Sequence, residues 1–230
     1  MNTKETLKPV LFMAVVAAVF TGAVAGVHMA TRGRVALNRK LAETGVVLAV
    51  LGLEAPPAED ATALEHFYAA HVVKTAMDVR LPEDDAPNPV LAGYDVRDGE
   101  RVLVGYAFRV GGRGFWDEIA GYVSFEPDGR TVKDVRFFKQ NETPGLGARI
   151  TTQSFREAFH GRVLPDEPTD GVLLEFVPEG RELGPSEVHA ITGATQTSRA
   201  VRVFLNAYLV EFRKAMAAHE STALAQGGTP

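Results

Sequence analysis

The chain has 230 residues, with 24 Lys and Arg against 29 Asp and Glu for a formal net charge of −5, and is 46% hydrophobic and 23% charged. That balance suits one core-forming domain plus an appendage, and a negative chain without a cationic run argues against nucleic acid as a partner, because phosphate binding needs clustered Lys and Arg. The absence of cysteine removes disulfides, thiolate nucleophiles and cysteine-held zinc or iron–sulfur centres. The six histidines form neither an H-x-x-x-H pair nor an HExxH, so no metal site and no catalytic centre is expected, and any redox chemistry must come from a bound organic cofactor.

From Pro9 to Ala30 there is no Asp, Glu, Lys or Arg. An apolar run of about 20 residues is what a helix needs to cross a hydrocarbon core, so residues 1–31 are expected to form a membrane anchor. The alternative is a cleaved signal peptide, with Lys4 and Lys8 ahead of the apolar stretch and Ala23-Val24-Ala25 as an A-x-A site. Both readings put the remainder outside the cytoplasm. The flanking charges oppose that: Arg32, Arg34, Arg39 and Lys40 follow the span, and the positive-inside rule alone would keep that side cytoplasmic.

Residues 32–85 are expected to be a helical connecting segment, with helices at 36–53 and 61–74 separated by the Pro56-Pro57 break. The stretch 81–89 is acidic and proline-bearing and reads as a loop. Strands are expected at 101–110, 118–125 and 131–138, the last two joined at Asp128-Gly129, with Ile119, Gly121, Val123 and Phe125 on one face. A short helix at 153–160 and a buried strand at 171–177 follow. A final helix opens near Thr197, its apolar face formed by Val201, Phe204, Leu205, Tyr208, Leu209 and Phe212. Residues 86–214 thus read as an α+β domain, an antiparallel sheet with packed helices behind one N-terminal transmembrane helix, and 215–230 as a flexible tail.

Two motifs carry functional chemistry. In Glu142-Thr143-Pro144-Gly145-Leu146-Gly147 the proline fixes one φ and the glycines permit unusual ones, giving a tight loop whose amides can face a ligand; a plain strand-to-helix turn has the same composition. Thr192-Gly193-Ala194-Thr195-Gln196-Thr197-Ser198 precedes the last helix. Its small residues admit a flat group, and its hydroxyls and the free amides of the helix start suit a phosphate; equally, Thr197 or Ser198 could simply cap the helix.

An E-T-P-G-L-G upstream of T-G-A-T-x-T-S, behind one N-terminal span, resembles the covalent-flavin subunits of ion-translocating respiratory complexes: those of the Na+-translocating NADH:quinone oxidoreductase (the NqrC type) and of the Rnf complex (the RnfG type). The resemblance implies FMN as cofactor, esterified through its phosphate to Thr195 by a separate Mg-dependent flavin transferase that uses FAD as donor. It also implies other subunits of a membrane redox complex as partners, electron flow coupled to Na+ or H+ movement, and a bacterial inner-membrane chain whose soluble domain is periplasmic. Gly114-Phe115-Trp116, Gly121-Tyr122 and Thr131-Val132 look more like the pattern of the quinone-reductase branch. On this resemblance Thr195, Thr192, Gly193, Ala194 and Thr197 are expected at the phosphate end, with Glu142, Thr143, Gly145, Leu146 and Trp116 towards the ring. Arg149 or Arg199 is a candidate to offset phosphate charge. One position departs from the pattern: His189 stands where the transferase recognition sequence usually has Asp. The other class of protein compatible with these features is a stand-alone, membrane-anchored FMN-binding sensor or interaction module.

Overall fold

A computed structural model describes residues 3–57 and 60–225. The chain divides into two compact units, Met1–Ala42 and Glu43–Pro230. The first is the bulk of helix α1 (Thr3–Val50). From Lys8 to Lys40 its side chains are exposed, including Leu11, Phe12, Met13, Phe20 and Val24. A helix that is apolar around its whole circumference and buried nowhere has the surface of a membrane span, and α1 is long and apolar enough to be one. The anchor expected over 1–31 and the helix expected over 36–53 form one continuous helix. Arg32-Gly33-Arg34 contains no proline, and a lone glycine costs a helix only about 1 kcal/mol, so one helix continues.

In the second unit, α2 (Ala61–His71) is capped by Asp60, whose carboxylate accepts the Ala63 amide. A five-stranded antiparallel meander follows, built from β1 (Val72–Asp78), β2 (Pro89–Arg97), β3 (Glu100–Arg113), β4 (Glu118–Phe125) and β5 (Val132–Lys139), in that spatial order. Alternation along each strand sends successive side chains to opposite faces. One face receives the end of α1 and the turn after it: the Ser124 hydroxyl donates to the Val50 carbonyl at 2.5 Å and the Tyr122 hydroxyl to Glu43 Oε1 at 2.8 Å. The other face receives α4 (Thr195–Ala225). There the rings of Phe108 and Phe125 lie 4.8 and 4.7 Å from that of Phe212, all three fully buried. Between β5 and α4 come a 3₁₀ turn (Gly147–Thr151), α3 (Gln153–Glu157), and a two-stranded parallel pair of β6 (Glu175–Val177) and β7 (Glu187–His189).

The sheet begins earlier in the chain than the pattern implies. The helix expected to Lys74 stops at His71 because the β-branched pair Val72-Val73 enters the sheet as β1, so the segment 32–85 supplies a strand as well as helices. The glycine and aspartate within β2 mask it in the sequence. Its hairpin to β3 turns on Asp98-Gly99, where both residues have positive φ (53° and 83°), the geometry that Asp-Gly accommodates best. Of the buried strand expected over 171–177, the structure makes a strand only of 175–177, in parallel with β7, while Val172 forms an isolated bridge with Thr169. The short helix expected to His160 ends at Glu157. The final helix starts at Thr195, two residues before the expected opening, and runs to Ala225; Met216 is buried against Gly129, so order passes the expected tail boundary of 215. Residues 226–230 of that tail lie outside the described residues.

Asn206 on α4 holds the segment before β6 in place. Its Oδ1 accepts the Leu173 and Leu174 amides, while its Nδ2 donates to the Leu174 and Arg202 carbonyls. Asn206→Ala would leave two amides without an acceptor inside the protein, at about 1–3 kcal/mol for each group. Urea unfolding of this variant is therefore expected to show a loss of at least about 2 kcal/mol. An unchanged midpoint would mean that water or a shift of the segment replaces the amide.

Candidate functional site

The two motifs meet. The hairpin tip between β3 and β4 (114–117), the loop 142–147 and the mouth of α4 converge on one carboxylate, that of Glu142, which is only 5% exposed. Its Oε1 accepts the backbone amides of Phe115 (2.9 Å) and Trp116 (3.0 Å), and its Oε2 accepts the Thr197 hydroxyl (2.6 Å). The Trp116 indole N–H donates to Thr143 Oγ1 at 3.0 Å. Two glycines make this approach possible: a Cβ on Gly114 would lie 2.5 Å from Glu142 Oε1, and one on Gly147 would lie 2.5 Å from the Thr197 hydroxyl. Gly147→Ala is therefore expected to cost about 1–3 kcal/mol, as overpacking does, and to loosen the loop from the helix. Chemical denaturation measures the first effect, and faster amide exchange at 143–148 the second.

Around this frame the exposed groups form the working surface. Gly145 (φ +76°) turns the loop so that Leu146 faces outward, 44% exposed; Phe115 and Trp116 are 52% and 63% exposed and meet edge to face at 4.9 Å. Three exposed apolar side chains on an otherwise polar rim mark a place for an apolar ligand or partner. Gly193 (φ +81°) sits beside Leu146, whose Cδ2 a Cβ would approach to 3.3 Å. Thr195, the first residue of α4, is exposed, and Ala194 before it has no side chain with which to cap the helix. The N-terminus of a long helix, with unclaimed amides and its dipole's positive end, favours an anion.

Thr195 also borders a groove of about 480 Å³ lined by Phe176, Glu179, Thr192, Ser198, Arg199 and Arg202. Glu179 accepts the Thr192 hydroxyl and amide and pairs with Arg149, which together hold its carboxyl below the usual carboxylate range. Arg149 is thus engaged by Glu179 (3.0 Å), whereas Arg199 opens onto the same groove as Thr195.

Of the ten residues singled out from sequence, the structure brings all into one neighbourhood but gives them different work. Thr195, Gly193, Thr143, Gly145, Leu146 and Trp116 present surface. Thr192 is exposed, with its hydroxyl taken by Glu179; Ala194 is buried. Glu142 and Thr197 belong to the frame underneath: both are buried and each occupies the other's polar atoms, so neither presents a free polar group to a ligand. Nor do the threonine and serine cap the helix, since Thr197 donates to Glu142 and the Ser198 hydroxyl accepts the Ile191 amide. His189 lies on β7, its ring nitrogen 2.8 Å from the Arg181 carbonyl. Glu179 and the aromatic ring of Phe115 are site groups that the sequence does not single out. The G-F-W tripeptide is the one available signal for Phe115, and Glu179 is brought in only by the β6–β7 crossover.

Comparison with known proteins gives this geometry its class. Residues 114–210, which run from the hairpin tip into α4, match the family model described as the FMN-binding domain, and residues 1–50 match that of the RnfG N-terminal region. The chain is a flavin protein, with an FMN-binding domain behind one long apolar helix. Together the two matches make the chain similar, over these two stretches, to FMN-binding subunits of the NqrC/RnfG type. The NqrC-type subunit of the Na+-translocating NADH-quinone reductase of Vibrio alginolyticus is 37% identical over 94 residues, covering 40% of this chain and 36% of that protein. Its counterpart from Vibrio vulnificus strain YJ016 is 38% identical over 112 residues (47% and 42%), and that from Neisseria meningitidis strain MC58 is 35% identical over 116 (49% and 42%). The aligned region thus spans less than half the length of these relatives. The crystal structure of Shewanella oneidensis NqrC shares the fold, with a TM-score of 0.59 at 21% identity over 78% of this chain and 98% of that one; the corresponding reductase subunit of Parabacteroides distasonis does so with a TM-score of 0.58 at 23% identity, over 79% and 96%.

The residues fit FMN. Gly145 and Gly193 leave a backbone surface free of Cβ atoms, the α4 mouth offers amides and a hydroxyl to a phosphate, and Phe115, Trp116 and Leu146 supply apolar area for a planar ring.

Proposed function

We propose that this chain carries FMN esterified through its phosphate to the Thr195 hydroxyl and acts as an electron-transfer subunit of a membrane redox complex that couples electron flow to Na+ or H+ movement. The observation that carries the reading is the exposed Thr195 hydroxyl at the mouth of α4, with the 142–147 loop locked beside it through Glu142 and Thr197. In this reading a separate flavin transferase makes the ester from FAD. The names of the relatives favour the NADH:quinone reductase type of complex, and the RnfG-type N-terminal match keeps the Rnf type as the alternative. The chain is placed in a bacterial inner membrane with the domain on the periplasmic side, where free FMN is scarce and an ester prevents loss of the cofactor.

Bound there, FMN supplies one- and two-electron transfer. The chain's own contributions are positional: Thr195 tethers, the α4 amides and Arg199 face the phosphate charge, and Phe115, Trp116 and Leu146 exclude water from the ring. His189 bears on recognition by the transferase more than on the site, since its ring is held on β7 by the Arg181 carbonyl.

Intact-mass measurement of the chain co-expressed with a flavin transferase tests this. The expected mass is that of the polypeptide plus FMN less one water, with a fluorescent band that survives denaturation. An unmodified mass and a dark band would overturn the covalent assignment.

A further inference from the structure

Glu142 is the only acidic or basic side chain that is buried among the described residues. Its hydrogen-bond partners are neutral: two amides of the hairpin tip and one hydroxyl of α4. A buried carboxylate is costly to desolvate, and an asparagine, serine or water could have bridged three neutral donors, so a full charge at this point calls for a reason. Two features of its position supply one. It accepts a hydrogen bond from Thr197, two residues beyond Thr195 on the first turn of α4, and it fixes the backbone from which the exposed Phe115 and Trp116 rings project. Its Oε1 also lies where a Cβ on Gly114 would sit at 2.5 Å, so the hairpin tip is built around the carboxylate.

We propose that Glu142 is the positioning residue of the flavin site. Its two oxygens clamp the aromatic hairpin tip to the helix that bears Thr195, and its buried negative charge lowers the reduction potential of a flavin held there. The first part concerns this chain alone; the second rests on the proposed FMN function. The physical basis of the second is electrostatic: adding electrons beside a fixed negative charge is unfavourable, and the interaction is screened less in a buried site than in water.

The variants Glu142→Gln and Glu142→Ala separate the two parts. Glutamine keeps an oxygen for the amides, and its NH₂ can donate to the Thr197 hydroxyl; alanine removes the clamp. Hydrogen exchange of the full chain without flavin reads the clamp. The Phe115 and Trp116 amides are expected to exchange at least about tenfold faster in Glu142→Ala, the factor that about 1.4 kcal/mol of lost protection represents, and near the wild-type rate in Glu142→Gln. Equal protection in wild type and Glu142→Ala would overturn the clamp. Redox titration of the flavin-loaded chain reads the charge. Glu142→Gln is expected to titrate at a higher midpoint potential than wild type, and coincident titrations would overturn the electrostatic role. If wild type takes up no flavin, the proposed function fails and the charge role fails with it, while the clamp is still decided by exchange.

Discussion

Thr195→Val, produced alongside a flavin transferase, is expected to carry no covalent flavin at all while folding as wild type does. Thr195 is exposed at the first position of α4, so replacing its hydroxyl by a methyl group breaks no contact in the core. Surface changes of this kind usually stay within about 0.5 kcal/mol. The chemical loss is absolute, because an ester needs the oxygen. Thr195→Ser restores an oxygen at the same place and is expected to recover the label. Thr192→Val is the informative control: that hydroxyl serves Glu179, so its removal should leave the label in place. Mass spectrometry and in-gel fluorescence of denatured protein report all three. Label retained in Thr195→Val, or lost in Thr192→Val alone, would move the attachment to another residue.

Phe212→Ala is expected to give the largest loss of stability, about 3–5 kcal/mol, the range for deleting a buried aromatic ring. The ring is fully buried and stacks within 5 Å of both Phe108 and Phe125, so it joins α4 to the third and fourth strands. The void lies in the centre of the core, where α4 cannot settle without losing Val201, Leu205 and Leu209 from the same face. Because α4 begins with Thr195, this distant variant should also reduce flavin attachment. Phe212→Leu fills most of the void and should recover the greater part of both. A melting midpoint for Phe212→Ala within a few degrees of wild type would show that the core closes around the cavity.

The later strands of the meander and the packed face of α4 are readable because their patterns are local. Ile119 to Phe125 alternate, and Val201 to Phe212 recur at three and four residues, whatever lies across from them. β1 and β7 are not readable in this way: three to seven residues of mixed character become strands only because a neighbouring strand offers unpaired backbone groups. β2 carries Gly93 because Leu51 packs directly against it, a contact from a segment far away in the chain. The true beginning of α4 precedes the apparent one by two residues, since Thr197 looks like a cap until Glu142 is seen to accept its hydroxyl.

The same division runs through the site. Sequence alone established the apolar N-terminal stretch, the absence of any cysteine chemistry, and two motifs whose residue types suit a phosphate and a flat ring. Those are properties of composition and short-range spacing. Only the tertiary structure decided which of their residues face solvent and which face each other. It left Thr195 open, committed Thr192 to Glu179, and buried Glu142 with Thr197 as the joint between loop and helix. A polar side chain's role depends on who else can reach its hydrogen-bonding atoms, and that is settled by the packing of segments remote from one another in the chain.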